Sequence, residues 1–459
     1  MREWINNGVI ALAIAGFYSI ILVVLRTPQL SQYFSDPSIF KSSLIIHVNL
    51  SVLVWLLSIT CFVWSLQKRQ ITYSKYYSKL SVLSMLLMSI SPLVPGSTPS
   101  MNNYIPMLDN ILFILGLTLF GITTLCYAIQ TFFISILNFN SAKYGRRIIN
   151  ITQITSSFMF IMVWVCFVFS YLGIESLREV VPLEIDYYYE MMFWSGGHLL
   201  QFIYTQILML VLLLLTESWR RGNVSYGNAY EMLLLLNFVL AMLVMVGHFQ
   251  FDVADGDFKE FFTKHMIYTG GIAPTFFILL LIIELTSARE FLVDSFVKSS
   301  LFFSILVFLS GGLIGIFISG VNVSIPAHYH GSIVGISIAF MGLAYLVYFQ
   351  ANIRNNLFSK EGAIGEMYQS ILSKNLLHSN SKFANIQIYT ITIGQLLHIL
   401  GLSLAGGYGV LRKTPGHEMA FEAKIYMGMV GIGGLIAIIG GLMFVYICGK
   451  RLIQNTIEC

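Results

Sequence analysis

The chain contains few charged residues and no cysteine motif. Asp, Glu, Lys and Arg make up only 10% of its 459 residues, whereas hydrophobic residues make up 56%. This composition excludes an ordinary soluble protein, in which about 25% of residues are charged. The five cysteines form no CxxC or CxxCH motif, so the sequence shows neither a disulfide framework nor a thiol-linked haem site. Packing is the expected role of these cysteines.

Long apolar runs dominate the sequence instead. Each is near the ~20 residues that a helix needs to cross a bilayer. The first run is followed by no small-residue cleavage site, which favours a span over a signal peptide. The sequence therefore predicts an all-α membrane protein, a twelve-transmembrane-helix bundle in a single integral membrane domain over residues 1–459. The predicted spans cover residues 8–25, 42–66, 78–94, 108–136, 149–173, 191–215, 231–250, 265–285, 300–320, 326–349, 384–406 and 425–448.

The basic residues are distributed unevenly between the two sides of this bundle. With a cytoplasmic N-terminus, 18 of the 26 Lys and Arg residues fall on the inner side and 8 on the outer side. Cytoplasmic loops carry the excess of Lys and Arg, so both termini are expected in the cytoplasm and the chain in the inner (plasma) membrane. Odd-numbered predicted helices then run outward and even-numbered ones inward. Membrane lipid is the expected surrounding, and no nucleic-acid partner is expected.

The segment Ile325-Pro-Ala-His-Tyr-His-Gly-Ser332 begins the tenth predicted helix. Positions two apart on a helix differ by about 200°, so His328 and His330 leave this helix on opposite faces. Each imidazole can then bind its own prosthetic group, a geometry suited to electron transfer. The alternative is a pair of hydrogen-bonded core histidines. Ionisable groups inside membrane helices are mostly functional, which favours the first interpretation.

Three further histidines fall at the depth of this pair. His47 and His198 lie early in the inward-running helices two and six. His248 lies at the end of the outward-running helix seven. All five are therefore expected in one layer in the outer half of the membrane, whereas scattered core histidines would fall at random depths. A shared layer predicts a shared site.

Three basic residues follow the ends of helices at the same level. Arg26 ends helix one, and Arg412 and Lys413 follow helix eleven. Snorkelling anchors are the more common use of basic residues at such positions. The functional interpretation is that these residues neutralise haem propionates.

These residues together resemble subunit I of the heme-copper oxidase superfamily, which includes cytochrome oxidases and nitric-oxide reductases. The similarity extends over all twelve predicted helices, and Met101-Asn-Asn103 is also similar to a family pattern. The most specific matches are His47, Trp194…Gly197-His198, Ala327-His-Tyr-His330, and His398-Ile-Leu-Gly-Leu-Ser403 leading to Arg412-Lys413.

The resemblance implies that the chain binds two haems. His47 and His330 would be the axial ligands of a low-spin haem. His328 would be the proximal ligand of a high-spin haem, and axial-ligand identity is one control on haem potential. His398 would be a structural residue near a haem edge.

The resemblance also implies a second metal, copper or non-haem iron, on His198 and His248 opposite the high-spin haem. Imidazole suits both metals. Family oxidases usually have adjacent histidines in helix seven, but here His248 stands between Gly247 and Phe249. One ligand is therefore missing. The candidates to replace it are Gln250, Asp252 and His265, each of which is more often a polar residue at the membrane edge.

A tyrosine of the family pattern is missing from helix six. Most oxidases place it four residues after the helix-six histidine, on the same helical face, where this chain has Phe202. Tyr204 lies some 240° around the helix from His198 and points elsewhere. Gln201, three residues after His198, faces the site and is expected to contact bound substrate. Tyr268 in helix eight is a candidate replacement.

The missing tyrosine bears on which gas is reduced. In the family, one-step cleavage of O2 takes four electrons, from two metals and an oxidisable tyrosine. Reduction of two NO to N2O needs two electrons, which two metals supply, so the loss favours NO. A cytochrome-c-type oxidase that reduces O2 to water is the alternative. Cytochrome c or a quinol, acting through a second subunit, would be the electron donor.

Further departures from the family pattern concern protons. The carboxylate that many oxidases have two residues after the helix-six histidine is Leu200 here. Helix eight contains Ala273-Pro-Thr275 and no lysine. The usual inner proton routes are therefore not evident. Two other functions stay open, a degenerate haem-binding homologue without a second metal and a secondary transporter, although no repeated halves are visible.

Overall fold

The computed structural model describes residues 2–26, 37–66, 72–139, 144–220, 224–286, 296–349, 378–411 and 420–457. In these ranges the chain is almost entirely helical, apart from a short antiparallel pair, β1 (Thr98–Ser100) and β2 (Met107–Asp109). The helices are α1 (Arg2–Arg26), α2 (Pro37–Val48), α3 (Trp55–Trp64), α4 (Ser74–Ile90), α5 (Ile111–Phe139), α6 (Tyr144–Arg178), α7 (Ile185–Arg220), α8 (Gly227–Met242), α9 (Val244–Gln250), α10 (Gly256–Thr269), α11 (Ile272–Thr286), α12 (Phe296–Ile316), α13 (Ser324–Phe349), α14 (His378–Gly407) and α15 (Phe421–Ile457).

The prediction of an all-α membrane bundle is confirmed. The described residues contain 11 helical stretches that are long and apolar enough to cross a membrane. These stretches correspond to every predicted span except the third, which is the 17-residue helix α4. A 17-residue helix is at the short end of the range that crosses a bilayer, so α4 is long enough to be the third predicted span, which brings the total to twelve.

Three of the predicted spans are interrupted helices. Helix two consists of α2, a π-helical segment over Asn49–Val54, and α3. Helix seven is interrupted at Leu243, between α8 and α9. Helix eight consists of α10 and α11, separated by Gly270 and Gly271. A hydropathy pattern shows that a span exists but not which hydrogen-bond register its backbone uses.

Several predicted helix boundaries differ from the observed ones by four or more residues, and two of these differences have a clear physical reason. The third helix ends at Ile90 rather than residue 94, because Pro92 has no N–H for a helical bond and the chain forms a 3-10 turn over Ser91–Leu93. The eighth helix begins at Gly256 rather than residue 265. Its first turns have an exposed charged face, with Lys264 paired to Glu260 at 2.6 Å, which an apolar window does not include.

The helices fall into two compact units. The first unit contains Met1–Leu210 and Tyr226–Phe277, and the second contains Val211–Ser225 and Ile278–Cys459. The prediction of a single domain over residues 1–459 stays a prediction.

Glycines set the helix packing in the second unit. A Cβ at Gly311 of α12 would overlap the backbone of α13 at Gly331 and Ser332. A Cβ at Gly394 of α14 would overlap the backbone of α15 in the same way. Small residues let membrane helices approach to backbone contact, which is how membrane helix pairs gain van der Waals energy. The start of α13, with its two histidines, is therefore held against α12.

Candidate functional site

His198 lies on α7 in the first unit and is almost completely buried, at 3% exposure. Its Nδ1 is 2.8 Å from the Trp194 carbonyl oxygen. A carbonyl only accepts, so Nδ1 carries the proton and Nε2 carries the lone pair. The Tyr104 hydroxyl lies 2.8 Å from Nδ1 and 2.9 Å from Nε2 of the same ring. The carbonyl and the phenol together hold the His198 ring in place.

Tyr104 was not among the residues proposed from the sequence. It lies on the loop between β1 and β2, where the Asn102 side-chain oxygen accepts from the backbone N–H of Tyr104 (3.0 Å) and of Ile105 (2.8 Å). Gly197 makes room for the phenol, since a Cβ at this position would overlap the Tyr104 ring. Burial raises the pKa of Tyr104 well above its usual value of 10.0, and the nearby Glu190 carboxylate raises it further. The phenol is therefore a neutral donor.

A charged cluster ties this loop to α7 and α10. Glu190 accepts from the Asn103 backbone N–H at 2.8 Å and from the Asn103 side chain. Lys259 lies 3.5 Å from the same carboxylate and 4.4 Å from the centroid of the Trp194 ring. The Trp194 indole donates to the Lys259 carbonyl at 3.3 Å. These contacts hold the Tyr104 loop and the His198 turn together at one end of the helices.

His248, on α9, contacts the same phenylalanine ring as His198, that of Phe262. The Phe262 ring lies 5.7 Å from the His198 ring and 5.8 Å from the His248 ring, measured between centroids. The His248 ring also contacts Phe258 at 5.2 Å. Its Nε2 is buried and has no hydrogen-bond partner in the described chain. The structure thus brings His198 and His248 to one phenylalanine ring.

The three candidates for the missing metal ligand differ in burial. Gln250 and Asp252 are exposed, whereas His265 of α10 is 8% exposed. His265 donates from Nε2 to the Leu240 carbonyl at 2.9 Å, and its Nδ1 has no hydrogen-bond partner in the described chain. The Phe202 ring lies 5.3 Å from the His265 ring. Tyr268 is 71% exposed on the outside of the same helix, which makes it a poor replacement for the missing tyrosine.

Gln201 is the one exposed residue of α7 between Met191 and Arg220. Its neighbours Leu200 and Phe202 are 5% and 1% exposed. The Gln201 amide is therefore accessible to a small molecule on a helix that is otherwise enclosed.

His47 lies at the end of α2, directly before the π-helical segment. Its Nδ1 is 3.1 Å from the Ala15 carbonyl and 2.8 Å from the Ser19 hydroxyl, both on α1. The bond to a carbonyl again assigns the proton to Nδ1 and the lone pair to Nε2. Ser51, inside the π segment, donates to the His47 carbonyl at 2.6 Å. π-helical turns inside α-helices are frequent at functional sites.

His328 and His330 lie in the second unit. His328 of α13 donates from Nδ1 to the Gly311 carbonyl of α12 at 2.8 Å. A Cβ at Gly315 would come within 2.6 Å of that Nδ1, so the glycine leaves room for the ring. The His330 ring lies 4.9 Å from the ring of His398, which donates from Nδ1 to the Val430 carbonyl at 2.9 Å. The two histidines of α13 thus have different helices beside them.

The proposed ligand sets join residues of different units. His47, His198 and His248 belong to the first unit, and His328 and His330 to the second. The pairing of His47 with His330 stays a prediction, as does the placement of His198 and His248 opposite His328. Arg26 is the last residue of α1. Arg412 and Lys413 lie outside the described residues.

A helical membrane protein with several imidazoles fixed by backbone carbonyls is the class that the fold and these side chains define. The sequence model of the family described as "Cytochrome C and Quinol oxidase polypeptide I" matches residues 4–436. The chain belongs to this family, and so to the heme-copper oxidoreductase superfamily. Membership confirms the resemblance seen in the sequence, and the family generally contains haem and a further metal centre.

Two relatives are similar over most of the chain. An uncharacterized protein of Rickettsia prowazekii (strain Madrid E) is 44% identical over 504 aligned residues, which cover 98% of this chain and 95% of the relative. An uncharacterized protein of Aquifex aeolicus (strain VF5) is 24% identical over 344 residues, which cover 75% of this chain and 83% of the relative.

The haem ligands proposed from the sequence fit their role chemically. Metal-bound histidines almost always donate their other ring N–H to a carbonyl, carboxylate or water, which fixes the ring and makes it more basic. His47 and His328 both donate Nδ1–H to a backbone carbonyl, so Nε2 would be the atom of each ring that binds iron. The residues present therefore suit haem iron.

The donors for the second metal fit in kind. Copper and iron both accept imidazole nitrogen, and His248 and His265 each have a ring nitrogen with no hydrogen-bond partner in the described chain. No group of three or more His, Cys, Asp or Glu side chains that could hold a metal ion occurs within the described ranges. The chain therefore offers suitable nitrogen donors, and no coordination geometry is assigned to them.

Proposed function

We propose that the chain is the catalytic subunit I of a respiratory terminal reductase that transfers electrons to a gas. His47 and His330 are the proposed axial ligands of a low-spin haem, and His328 is the proposed proximal ligand of a high-spin haem. The observation that best supports this proposal is the shared anchoring of His47, His198 and His328, each with Nδ1 donating to a backbone carbonyl. That bond prepares Nε2 for a metal.

The second metal, copper or non-haem iron, is proposed on His198 and His248, with His265 as the candidate third ligand; the three side chains do not form a metal-holding group in the described structure and would have to move together to bind the metal. His265 is favoured over Gln250 and Asp252 because it is buried and its Nδ1 has no hydrogen-bond partner in the described chain. A buried polar atom without a partner costs free energy, which a metal ligand bond would recover.

The protein has three tasks in this function. Its backbone carbonyls fix the imidazole tautomers, one helix presents two ligands through His328 and His330, and buried side chains exclude water. Residues 202–219 of α7 are all buried, as are 195–200. Excluding water strengthens electrostatic interactions and limits side reactions. When bound, haem iron and the second metal supply the one-electron chemistry.

Electron entry and location complete the proposal. Cytochrome c or a quinol, acting through a second subunit on the outer side, is the proposed donor. Arg26, Arg412 and Lys413 are the proposed partners of the haem propionates, because charge-assisted bonds to carboxylates are the strong ones. The proposed location is the inner (plasma) membrane with both termini in the cytoplasm, supported by the excess of basic residues on one side.

NO is the first candidate substrate. Phe202 is buried against His265, so no phenol occupies the position four residues after His198. Two-electron reduction of two NO to N2O needs no third redox group. Gln201 is exposed one turn from His198 and is the proposed contact for bound gas.

O2 is the second candidate, and Tyr104 is the observation that favours it. Its hydroxyl lies 2.9 Å from Nε2 of His198, although it comes from a loop rather than from α7. A phenol beside a proposed metal ligand supplies the oxidisable group that Phe202 lacks.

The test is to purify the protein, count haems and metals, and assay NO and O2 consumption for the wild type and Tyr104→Phe. Tyr204→Phe, on the buried α7, is the matched control. NO turnover that survives Tyr104→Phe supports the NO reductase. O2 turnover that falls about tenfold or more, a barrier increase of at least ~1.4 kcal/mol, supports the oxidase.

Two results contradict the proposal. Haem without turnover of either gas indicates a degenerate haem-binding homologue, and a colourless protein indicates a chain that binds no haem, such as a transporter.

A further inference from the structure

Both candidate reactions consume one proton per electron. Two NO, two protons and two electrons give N2O and water, and O2 with four protons and four electrons gives two waters. Negative charge in a low-dielectric interior is expensive unless it is compensated. Protons must therefore reach the histidine layer, and the family residues at Leu200 and along Ala273-Pro-Thr275 do not provide a route. This inference rests on the proposed function.

The buried stripe of α8 contains an acidic residue in its second turn. Glu231 is 4% exposed, and its carboxylate lies 3.1 Å from Nε of Arg147 on α6. The Arg147 side chain is 52% exposed. Both residues lie near the first turns of parallel helices, whereas His248 lies at the other end, 17 residues or about 25 Å beyond Glu231. Glu231 thus connects the surface with the interior at the end opposite the histidines.

Buried amides continue the stripe one turn further. Gln206 of α7 donates to the Leu234 carbonyl at 3.2 Å and to the Thr155 hydroxyl of α6 at 2.8 Å. Asn237 donates to the Gln206 side-chain oxygen at 2.7 Å. Gln206, Thr155 and Asn237 are 0%, 3% and 1% exposed. Three helices therefore contribute polar groups to one point inside an apolar unit. We name Glu231, Gln206, Thr155 and Asn237 the α8 polar column.

The column ends beside His265 in the first unit. Leu240, three residues after Asn237, uses its carbonyl to accept from Nε2 of His265 at 2.9 Å. Leu234 lies three residues after Glu231 and three before Asn237. Successive polar contacts along α8 are thus separated by about 4.5 Å of helix rise. Water molecules bridge distances of this size.

Polar atoms without partners are present along the same stripe. Within the described chain, Oε1 of Glu231 and Oδ1 of Asn237 are buried and make no hydrogen bond. Buried polar atoms are normally paired, and each exception needs an explanation. A buried water needs two to four polar partners, which these atoms and the nearby carbonyls supply.

We infer that the α8 polar column carries protons from the Arg147 end of α6 and α8 to the histidine layer. Glu231, a carboxylate paired with Arg147, takes a proton from the aqueous side and then releases it to water in the column. The amides of Gln206 and Asn237 donate and accept hydrogen bonds to these waters and keep their own protons. Each proton delivered balances one electron used in the reduction.

The test compares the wild type with Asn237→Leu and Glu231→Gln in the purified protein. Asn237→Leu removes an amide that bonds the waters of the column, and Glu231→Gln removes the carboxylate that exchanges the proton. Turnover is expected to fall about tenfold or more in each variant. Proton uptake, followed with a pH-indicator dye, is expected to slow by the same factor, and the solvent deuterium effect to rise. Haem content, the absorbance spectrum and chemical reduction of the haems should not change. Asn237→Asp, which keeps a polar exchanging group, is expected to restore most of the rate.

Gln153→Leu is the matched control, because Gln153 of α6 is equally buried but does not belong to the column. Its amide donates to the Val63 carbonyl at a distance of 2.8 Å. Proton uptake in this variant is expected to stay within about twofold of the wild type. Wild-type turnover and proton uptake in both Asn237→Leu and Glu231→Gln would overturn the route while leaving the reductase intact.

If the wild type reduces neither gas, the proposed function fails first. A high-resolution density map then tests the route alone. Ordered waters between Glu231 and the Leu240 carbonyl support it, and a dry stripe overturns it.

Discussion

Single hydrogen bonds fix the direction of the imidazoles on which the account depends. His47, His198 and His328 each donate from Nδ1 to a carbonyl. The sequence could predict these histidines, because imidazoles at matching depths on membrane helices are rare and costly. It could not predict their anchors, since a backbone carbonyl is present at every residue.

Tyr104 shows the same limit more strongly. It lies 94 positions from His198 in the chain, so no helical period relates the two residues. Helical periodicity relates His198 only to residues of its own helix, such as Phe202 and Tyr204. The available signal was Gly197, next to His198, together with the family-like Met101-Asn-Asn103 just before the tyrosine. A glycine beside a proposed ligand indicates close approach by another chain segment.

Gly197→Ala tests that close approach. The added Cβ overlaps the Tyr104 ring, so the ring must move away from His198 or α7 must shift. Overpacking of this kind typically costs about 1–3 kcal/mol. We expect a lower thermal unfolding midpoint in detergent and a proportional loss of the activity that depends on Tyr104.

Gly256→Ala is the control for this substitution, since a Cβ there meets nothing within 4 Å. Equal unfolding midpoints for Gly197→Ala and the wild type would show that the phenol does not occupy the space above Gly197.

Helices were predictable as spans but not as exact elements. The length of the apolar runs predicted twelve spans. Eleven of them are long membrane-spanning stretches in the structure, and the remaining one is the shorter helix α4. The π segment Asn49–Val54 and the break at Gly270 and Gly271 were not predicted. Hydropathy reports whether a side chain favours water or lipid. A π turn or a helix break depends instead on which backbone N–H and C=O groups form hydrogen bonds with each other. The π turn directly follows His47, so this unpredicted feature adjoins a proposed ligand.

The contact between α12 and α13 provides a prediction about helix packing. Gly311 touches the α13 backbone and its carbonyl accepts from His328, whereas a Cβ at the neighbouring Gly312 would meet nothing within 4 Å. We expect Gly311→Ala to separate the helices, to cost about 1–3 kcal/mol, and to lower the content of high-spin haem. Thermal unfolding and haem counting measure both effects.

Gly312→Ala is the matched control on the same helix. Replacing an unconstrained helical glycine by alanine is expected to be neutral or to stabilise by up to about 1 kcal/mol. A stable, fully haem-loaded Gly311→Ala protein would show that α12 does not position His328.

At the scale of the whole molecule, the length of the apolar runs predicts the fold class, and the residues at a few positions indicate the family. Composition and twelve spans sufficed for the fold class, because crossing a bilayer is a requirement on each segment separately. The pairing of haem ligands cannot be predicted from each segment separately. His47 must meet His330, and these residues lie in two separate compact units, so the pairing depends on tertiary arrangement rather than on local pattern.

Topology is the prediction that belongs to the whole chain. Twelve spans return the C-terminus to the side of the N-terminus, and 18 of the 26 basic residues assign that side to the cytoplasm. A fluorescent reporter fused at the C-terminus is expected to fold and fluoresce, while a phosphatase that needs the outer side is expected to be inactive there. The reverse pattern would place the C-terminus on the outer side and contradict this topology.

The most direct test of the central claim is the absorbance and electron paramagnetic resonance spectrum of the purified oxidised protein. Two haems per chain are expected, one of them low-spin with two imidazole ligands. His47→Ala and His330→Ala should each remove that same low-spin signal, and His328→Ala should remove the other haem instead. A spectrum without haem, or a low-spin signal that survives either His47→Ala or His330→Ala, would contradict the account.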